Sequence, residues 1–149
     1  MLTIKEIYSF DDFNENLTKA QFIDFLYVHL DRFGDPKPAI EKSIDYALDN
    51  KPGQGGFLLA AFDDDELVGG LVMNKTGMSE YIPENILVYV AVDASKRGKG
   101  IGGQVVKRSF EIADGDIKLH VEYDNPAKRL YERVGMVSKY AEMRYTKKK

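Results

Sequence analysis

Cysteine is absent from the 149 residues, which excludes disulfide staples, thiolate nucleophiles and cysteine-ligated metals. Imidazole is scarce as well: only His29 and His120 could offer it, and no metal site is expected. No apolar run approaches the roughly 18 residues of a membrane span. The N-terminal stretch MLTIKEIYSFDDF interrupts its apolar segment with charges, so neither a membrane partner nor a leader is expected, and the expected location is cytoplasmic. Excess positive charge is missing too. A formal net charge of -3 does not suit a nucleic-acid partner, because phosphate contacts dominate that affinity.

What is present suffices for one domain spanning 1–149, with 44% hydrophobic residues to build a core. No internal repeat or low-complexity segment interrupts it. Against the acidic background two basic clusters stand out. Lys147-Lys148-Lys149 reads as a solvated tail, whereas Lys96-Arg97-Gly98-Lys99 is embedded in glycines.

Periodicity orders the elements. Thr3 to Ile7 alternate as a first strand, and Phe22, Phe25, Leu26, His29, Leu30 and Phe33 follow helical spacing up to Gly34. A second helix carries Ile40, Ile44, Ala47 and Leu48 and stops at Asn50, Pro52 and Gly53. From Phe57, FLLAAF, DDDE and LVGGLVMN read as an antiparallel hairpin. Ile86 to Val92, ILVYVAV, is a central strand covered on both faces. Ile101, Val105, Val106, Phe110 and Ala113 stripe the next helix, which ends at Asp114-Gly115. Ile117 to Val121 is then a strand parallel to the central one if that helix is a right-handed crossover. Asn125-Pro126 opens a last helix that Gly135 closes, and Val137 to Thr146 is expected as a final strand.

Gly98, Gly100, Gly102 and Gly103 cluster at a strand-to-helix junction, although a glycine inside a helix costs about 1 kcal/mol relative to alanine. A flexible loop is the plain explanation. The chemical one is an anion site: a helix N-terminus offers unpaired N–H groups, glycines let a ligand approach them, and Arg97 and Lys99 add charge. The string also satisfies G-x-G-x-x-G, but Asp93 to Arg97 separate strand from glycine and too little chain follows for a dinucleotide fold. A G-K-[ST] phosphate loop is absent.

The segment VAVDASKRGKGIGGQVV, with Arg97, Gly100 and Gly102 spaced as R-x-x-G-x-G, resembles the diagnostic motif of the GCN5-related N-acetyltransferase (GNAT) superfamily. LHVEYDNPAKRLYERVGM resembles the family's second segment, in which strand, Asn and helix precede a Tyr and E-x-x-G-F. The resemblance covers about Phe57 to Thr146. It implies an α/β (α+β) fold: a mixed central sheet, two N-terminal helices, a glycine-led crossover helix and a C-terminal helix and strand. It further implies acetyl-CoA as acyl donor and a small-molecule or peptide amine as acceptor, with a homodimer allowed.

Position by position, the resemblance implies that the backbone of Val90, Ala91 and Val92 pairs with the pantetheine arm. The amides of Arg97, Gly98, Lys99, Gly100, Ile101, Gly102 and Gly103 take the pyrophosphate, and Asn125 contacts the pantetheine or its neighbouring backbone. Tyr131 lies near the thioester sulfur as proton donor. The family's Asn stands seven residues before the Tyr, where this chain has Asp124; Asn125 is six before. A turn one residue shorter, aligned on Leu119 and Val121, puts His120 where some members carry a catalytic glutamate. Glu84, Glu122 and Tyr123 are fallback bases. A packed core tyrosine and a solvated histidine are the plain readings of Tyr131 and His120. A module that binds acyl-CoA without turnover, or serves protein interaction, is the other class of function this sequence allows.

Overall fold

The computed structural model describes residues 1–148, so Lys149 of the basic tail lies outside the described residues. Five strands, β1 (Leu2–Ile7), β2 (Gly56–Asp63), β3 (Glu66–Lys75), β4 (Asn85–Val92) and β5 (Ile117–Leu119), form one sheet in sequence order. Neighbours are antiparallel except β4 and β5, which are parallel, as the crossover required. The helices are α1 (Lys19–Leu30), α2 (Lys37–Leu48), α3 (Ile101–Ile112) and α4 (Ala127–Arg133).

Alternation along the strands builds two cores. Leu58 and Ala60 of β2 point to the layer of α1 and α2, where they meet Phe22, Leu26, Ile40 and Ile44. Phe57, Leu59 and Ala61 point the other way, to Ile101, Val105, Val106 and Tyr131 of α3 and α4. Paired glycines in β3 bring both layers close. A Cβ on Gly69 would stand 3.2 Å from Ala61, and one on Gly70 would stand 3.3 Å from Phe22 and Leu26.

Local chemistry fixes the helix ends. Thr18 and Gln21 form a reciprocal capping box at α1, through the Gln21 N–H to Thr18 Oγ1 (3.1 Å) and the Thr18 N–H to Gln21 Oε1 (2.9 Å). α4 ends on Gly135 in the left-handed region, with Met136 N–H donating to Tyr131 O (3.0 Å) and Gly135 N–H to Glu132 O (3.1 Å).

Two sequence expectations require correction. β5 stops at Leu119, short of Val121, at the level where β4 bulges against β3 and the parallel pairing ends. The expected strand at Val137 to Thr146 does not form: the segment pairs with no strand among the described residues, and Val137, Tyr140, Met143 and Tyr145 are exposed. A three-residue β5 is a short template, and Lys139, Glu142 and Arg144 leave neither side of the segment uniformly apolar.

The start of β4 is stapled to the turn before β5. Asn85 is buried, and its Nδ2 donates to Asp114 O (2.7 Å) and Asp116 O (3.2 Å). Glu84 Oε1 accepts the Asp116 N–H (2.9 Å), which holds the Glu84 carboxyl below its usual range. Asn85→Ala strips the Asp114 carbonyl of its donor and should cost about 1–3 kcal/mol in urea unfolding. Asn85→Asp should cost more, since a carboxylate would face two carbonyl oxygens. Wild-type stability in both variants would rule out the staple.

Candidate functional site

The parallel pair determines where a site can form. β4 and β5 are matched only at Asn85–Ile117, Ile86–Lys118 and Leu87–Leu119, and then part. At that level β4 also slips against β3: Val72 faces Tyr89 while Met73 faces Leu87, so Val88 is an extra residue, a β-bulge. Side chains record the slip. Leu87 packs with α3 and α4, Val88 and Tyr89 both pack with α1 and α2, and Val90 returns to the first face.

Beyond the bulge, Asp93 N–H donates to Val68 O at 2.9 Å. Backbone groups alternate sides along a strand, so those of Ala91 face β3 too. The N–H and C=O of Val90 and Val92 then face the side that β5 has left. The result is an unpaired strand edge beside a gap.

The glycine segment lies at the end of this edge. A short 3₁₀ turn, Ala94–Lys96, is capped by Asp93, whose Oδ1 accepts the Ser95 N–H (2.9 Å) and hydroxyl (2.8 Å). These bonds from Ser95 hold the Asp93 carboxyl below its usual range. Gly98 (φ +85°) and Gly100 (φ +81°) adopt left-handed backbone, and nothing stands within 4 Å of where either Cβ would be. Gly100 is the N-cap of α3, and the first helical bond is Gln104 N–H to Gly100 O (3.1 Å). The amides of Ile101, Gly102 and Gly103 precede it and have no protein acceptor among the described residues. Open approach, free donors and the positive end of a helix dipole suit an anion.

The basic side chains are deployed unevenly. Lys99 makes no ion pair among the described residues, Lys96 lies 3.4 Å from Glu66, and Arg97 donates from Nη2 to the carbonyl of His29 at 2.7 Å. Gly102 serves packing: a Cβ there would come 3.0 Å from Leu130 of α4 and 3.4 Å from Val92. That contact seats α4 against α3. Asn125 Oδ1 accepts the Ala127 N–H (2.9 Å) at the entry to α4, which leaves its amide nitrogen without a protein partner among the described residues. Asp124, where the family pattern has Asn, pairs instead with Arg32 at 3.0 Å and is held below its usual range by that bond.

Tyr131 sits on the buried face of α4, and burial pushes its hydroxyl up to about 12. The hydroxyl donates to no protein group among the described residues, which leaves its proton uncommitted. His120 is exposed, one residue beyond β5. Of the fallback bases, Glu122 and Tyr123 are exposed in the β5–α4 loop, whereas Glu84 is engaged at the closed end of the strand pair. On the opposite face, the Tyr89 hydroxyl donates to Asp35, tying β4 to the α1–α2 connection. The capping role of Asp93, which its D-x-S spacing signals, was missed from the sequence, as was the contact between His29 and the 3₁₀ turn, which spans 65 positions and has no local signal.

The sequence pattern of the Acetyltransferase (GNAT) family matches residues 14–136. No curated protein sequence matches at a significant level. Among solved structures, a GNAT-family acetyltransferase from Streptococcus pneumoniae TIGR4 superposes with a TM-score of 0.66 at 18% identity, covering 100% of both chains. An aminoglycoside acetyltransferase from an uncultured soil metagenomic sample, in complex with sisomicin, gives 0.66 at 17% identity over 99% of this chain and 97% of that one. A ribosomal-protein-alanine N-acetyltransferase from Brucella melitensis biovar Abortus 2308 gives 0.66 at 16% identity over 99% of this chain and 100% of the other.

The packing role of Gly102 is separable from helix propensity. Gly103→Ala, whose Cβ would find Leu130 at an ordinary 3.7 Å, should gain up to about 1 kcal/mol in chemical denaturation. Gly102→Ala should gain much less or lose stability, because Leu130 must yield. Equal gains would show that the α3–α4 contact is slack.

Proposed function

This chain belongs to the GNAT acetyltransferase family, and on that premise we propose that it transfers the acetyl group of acetyl-CoA to a primary amine of a small molecule or peptide. The observation that carries the reading is the unpaired edge of Val90 and Val92, which leads directly into the free amides at the start of α3. An extended polar arm ending in a pyrophosphate needs these two features end to end. The edge would hold the pantetheine arm, with Ala91 between the two donating positions. The backbone from Arg97 to Gly103 would hold the pyrophosphate, with Lys99 beside it and Asn125 near the arm.

When bound, acetyl-CoA supplies a thioester whose carbonyl carbon is open to an amine and whose sulfur leaves as a thiolate. The chain's own residues then have two protons to manage. Tyr131 holds one on its hydroxyl, in place for delivery to the departing sulfur. The acceptor amine must lose one, and His120, exposed one residue beyond β5, is the side chain assigned to take it. The backbone N–H groups of Val90 and Val92, which face the gap, are the donors available to a developing oxyanion. A non-catalytic acyl-CoA-binding module would use the same edge and amides; the free hydroxyl of Tyr131 favours the enzyme.

Release of free CoA thiol across a panel of amines tests the activity and identifies the acceptor together. No release with any amine, despite acetyl-CoA binding, would favour the binding module. Tyr131→Phe should lower kcat about a hundredfold or more while acetyl-CoA still binds. Its stability should change little, since the hydroxyl makes no protein hydrogen bond among the described residues. Unchanged kcat with chemistry rate-limiting would exclude the donor role. His120→Gln should depress kcat while acetyl-CoA still binds; an unchanged kcat would exclude the base role.

A further inference from the structure

His29 lies in the last turn of α1, with its ring tilted against Phe25 at a centroid distance of 4.5 Å. Its Nδ1 accepts the Ala94 N–H at 3.1 Å, and its main-chain carbonyl accepts the Arg97 guanidinium at 2.7 Å. One residue of α1 therefore holds both ends of the segment 94–97. The ring contact fills a specific need. The first N–H of a helical turn has no partner within that turn, and the local cap Asp93 is committed to Ser95. His29 supplies the missing acceptor from another element.

We infer that His29 is a positioning residue: it clasps the 94–97 segment to α1 and thereby fixes the amides of the first turn of α3 where coenzyme binds. The inference rests on the coenzyme reading above and deepens it, since it makes coenzyme affinity depend on an N-terminal helix outside the glycine segment. A segment that undocks part of the time presents its amides only for the docked fraction, and apparent affinity falls by that fraction.

Calorimetric binding of acetyl-CoA to the full chain, with two variants, tests the clasp. His29→Leu keeps apolar bulk against Phe25 and removes the acceptor. His29→Asn loses the ring but places an oxygen as many bonds from the backbone as Nδ1. The Leu variant should bind acetyl-CoA up to about tenfold more weakly, the scale of one hydrogen bond. The Asn variant should stay within about twofold of wild type, and kcat at saturating acetyl-CoA should hold in both. Amide exchange at Ala94 should accelerate in the Leu variant alone. Equal affinity for Leu and wild type, or equal weakening in both variants, overturns the positioning role. If wild type binds no acetyl-CoA, the coenzyme reading fails by itself, and the Ala94 exchange rates still decide whether the clasp exists.

Discussion

The extra residue at Val88 is the constraint around which the rest is organised. A regular β4 would keep Leu87, Tyr89 and Ala91 on one face, with an unbroken ladder to its neighbours. The bulge moves Tyr89 and Ala91 to the α1–α2 side relative to Leu87, at the level where β5 departs. Exposing unpaired backbone inside a sheet is costly unless the lost bonds are otherwise satisfied. Both faces of the sheet are packed at this level, so side-chain burial maintains the break. Val90 and Val92 anchor β4 on one side, and Tyr89 and Ala91 anchor it on the other.

The glycines of the segment after β4 divide into two kinds. Gly98 and Gly100 are there for backbone conformation and clear approach; Gly102 is there because Leu130 of α4 presses on it. The second role connects the anion-facing turn to the helix that carries Tyr131. The proposed coenzyme contact and the proposed proton donor thus share one packing interface, which is a physical reason for two sequence segments some 30 residues apart to act as one unit.

Much of this was legible in the sequence because it rests on local signals. Strand alternation in FLLAAF, the β-branched run of β4, the stripe of α3, and the Asn-Pro and Gly135 boundaries of α4 each follow from residues close together in the chain. The parallel pairing followed from reading α3 as a right-handed crossover. The bulge did not: ILVYVAV is apolar throughout, so no alternation exists whose slip could be read. The C-terminal strand was misread because Val137 to Tyr145 has strand composition, while pairing depends on a partner edge that β5 is too short to provide. The partner of Arg97 was also hidden, since its contact is a main-chain carbonyl 68 positions away. Side-chain identity carries no trace of that. The acceptor remains the least legible part, as the residues of α1 and α2 follow packing rules that many ligands would satisfy.

The buried amide of Asn85 gives the strand pair the mechanics of tweezers. The two strands are pinned to each other at one end and unpaired from each other at the other, with about 16 Å of β4 between Leu87 and Val92 at ordinary strand rise. A rotation of about four degrees over that length displaces the tips by about 1 Å, enough to make or lose a hydrogen bond. The calibre of the gap is therefore governed from its distant end, by a side chain that no ligand would touch.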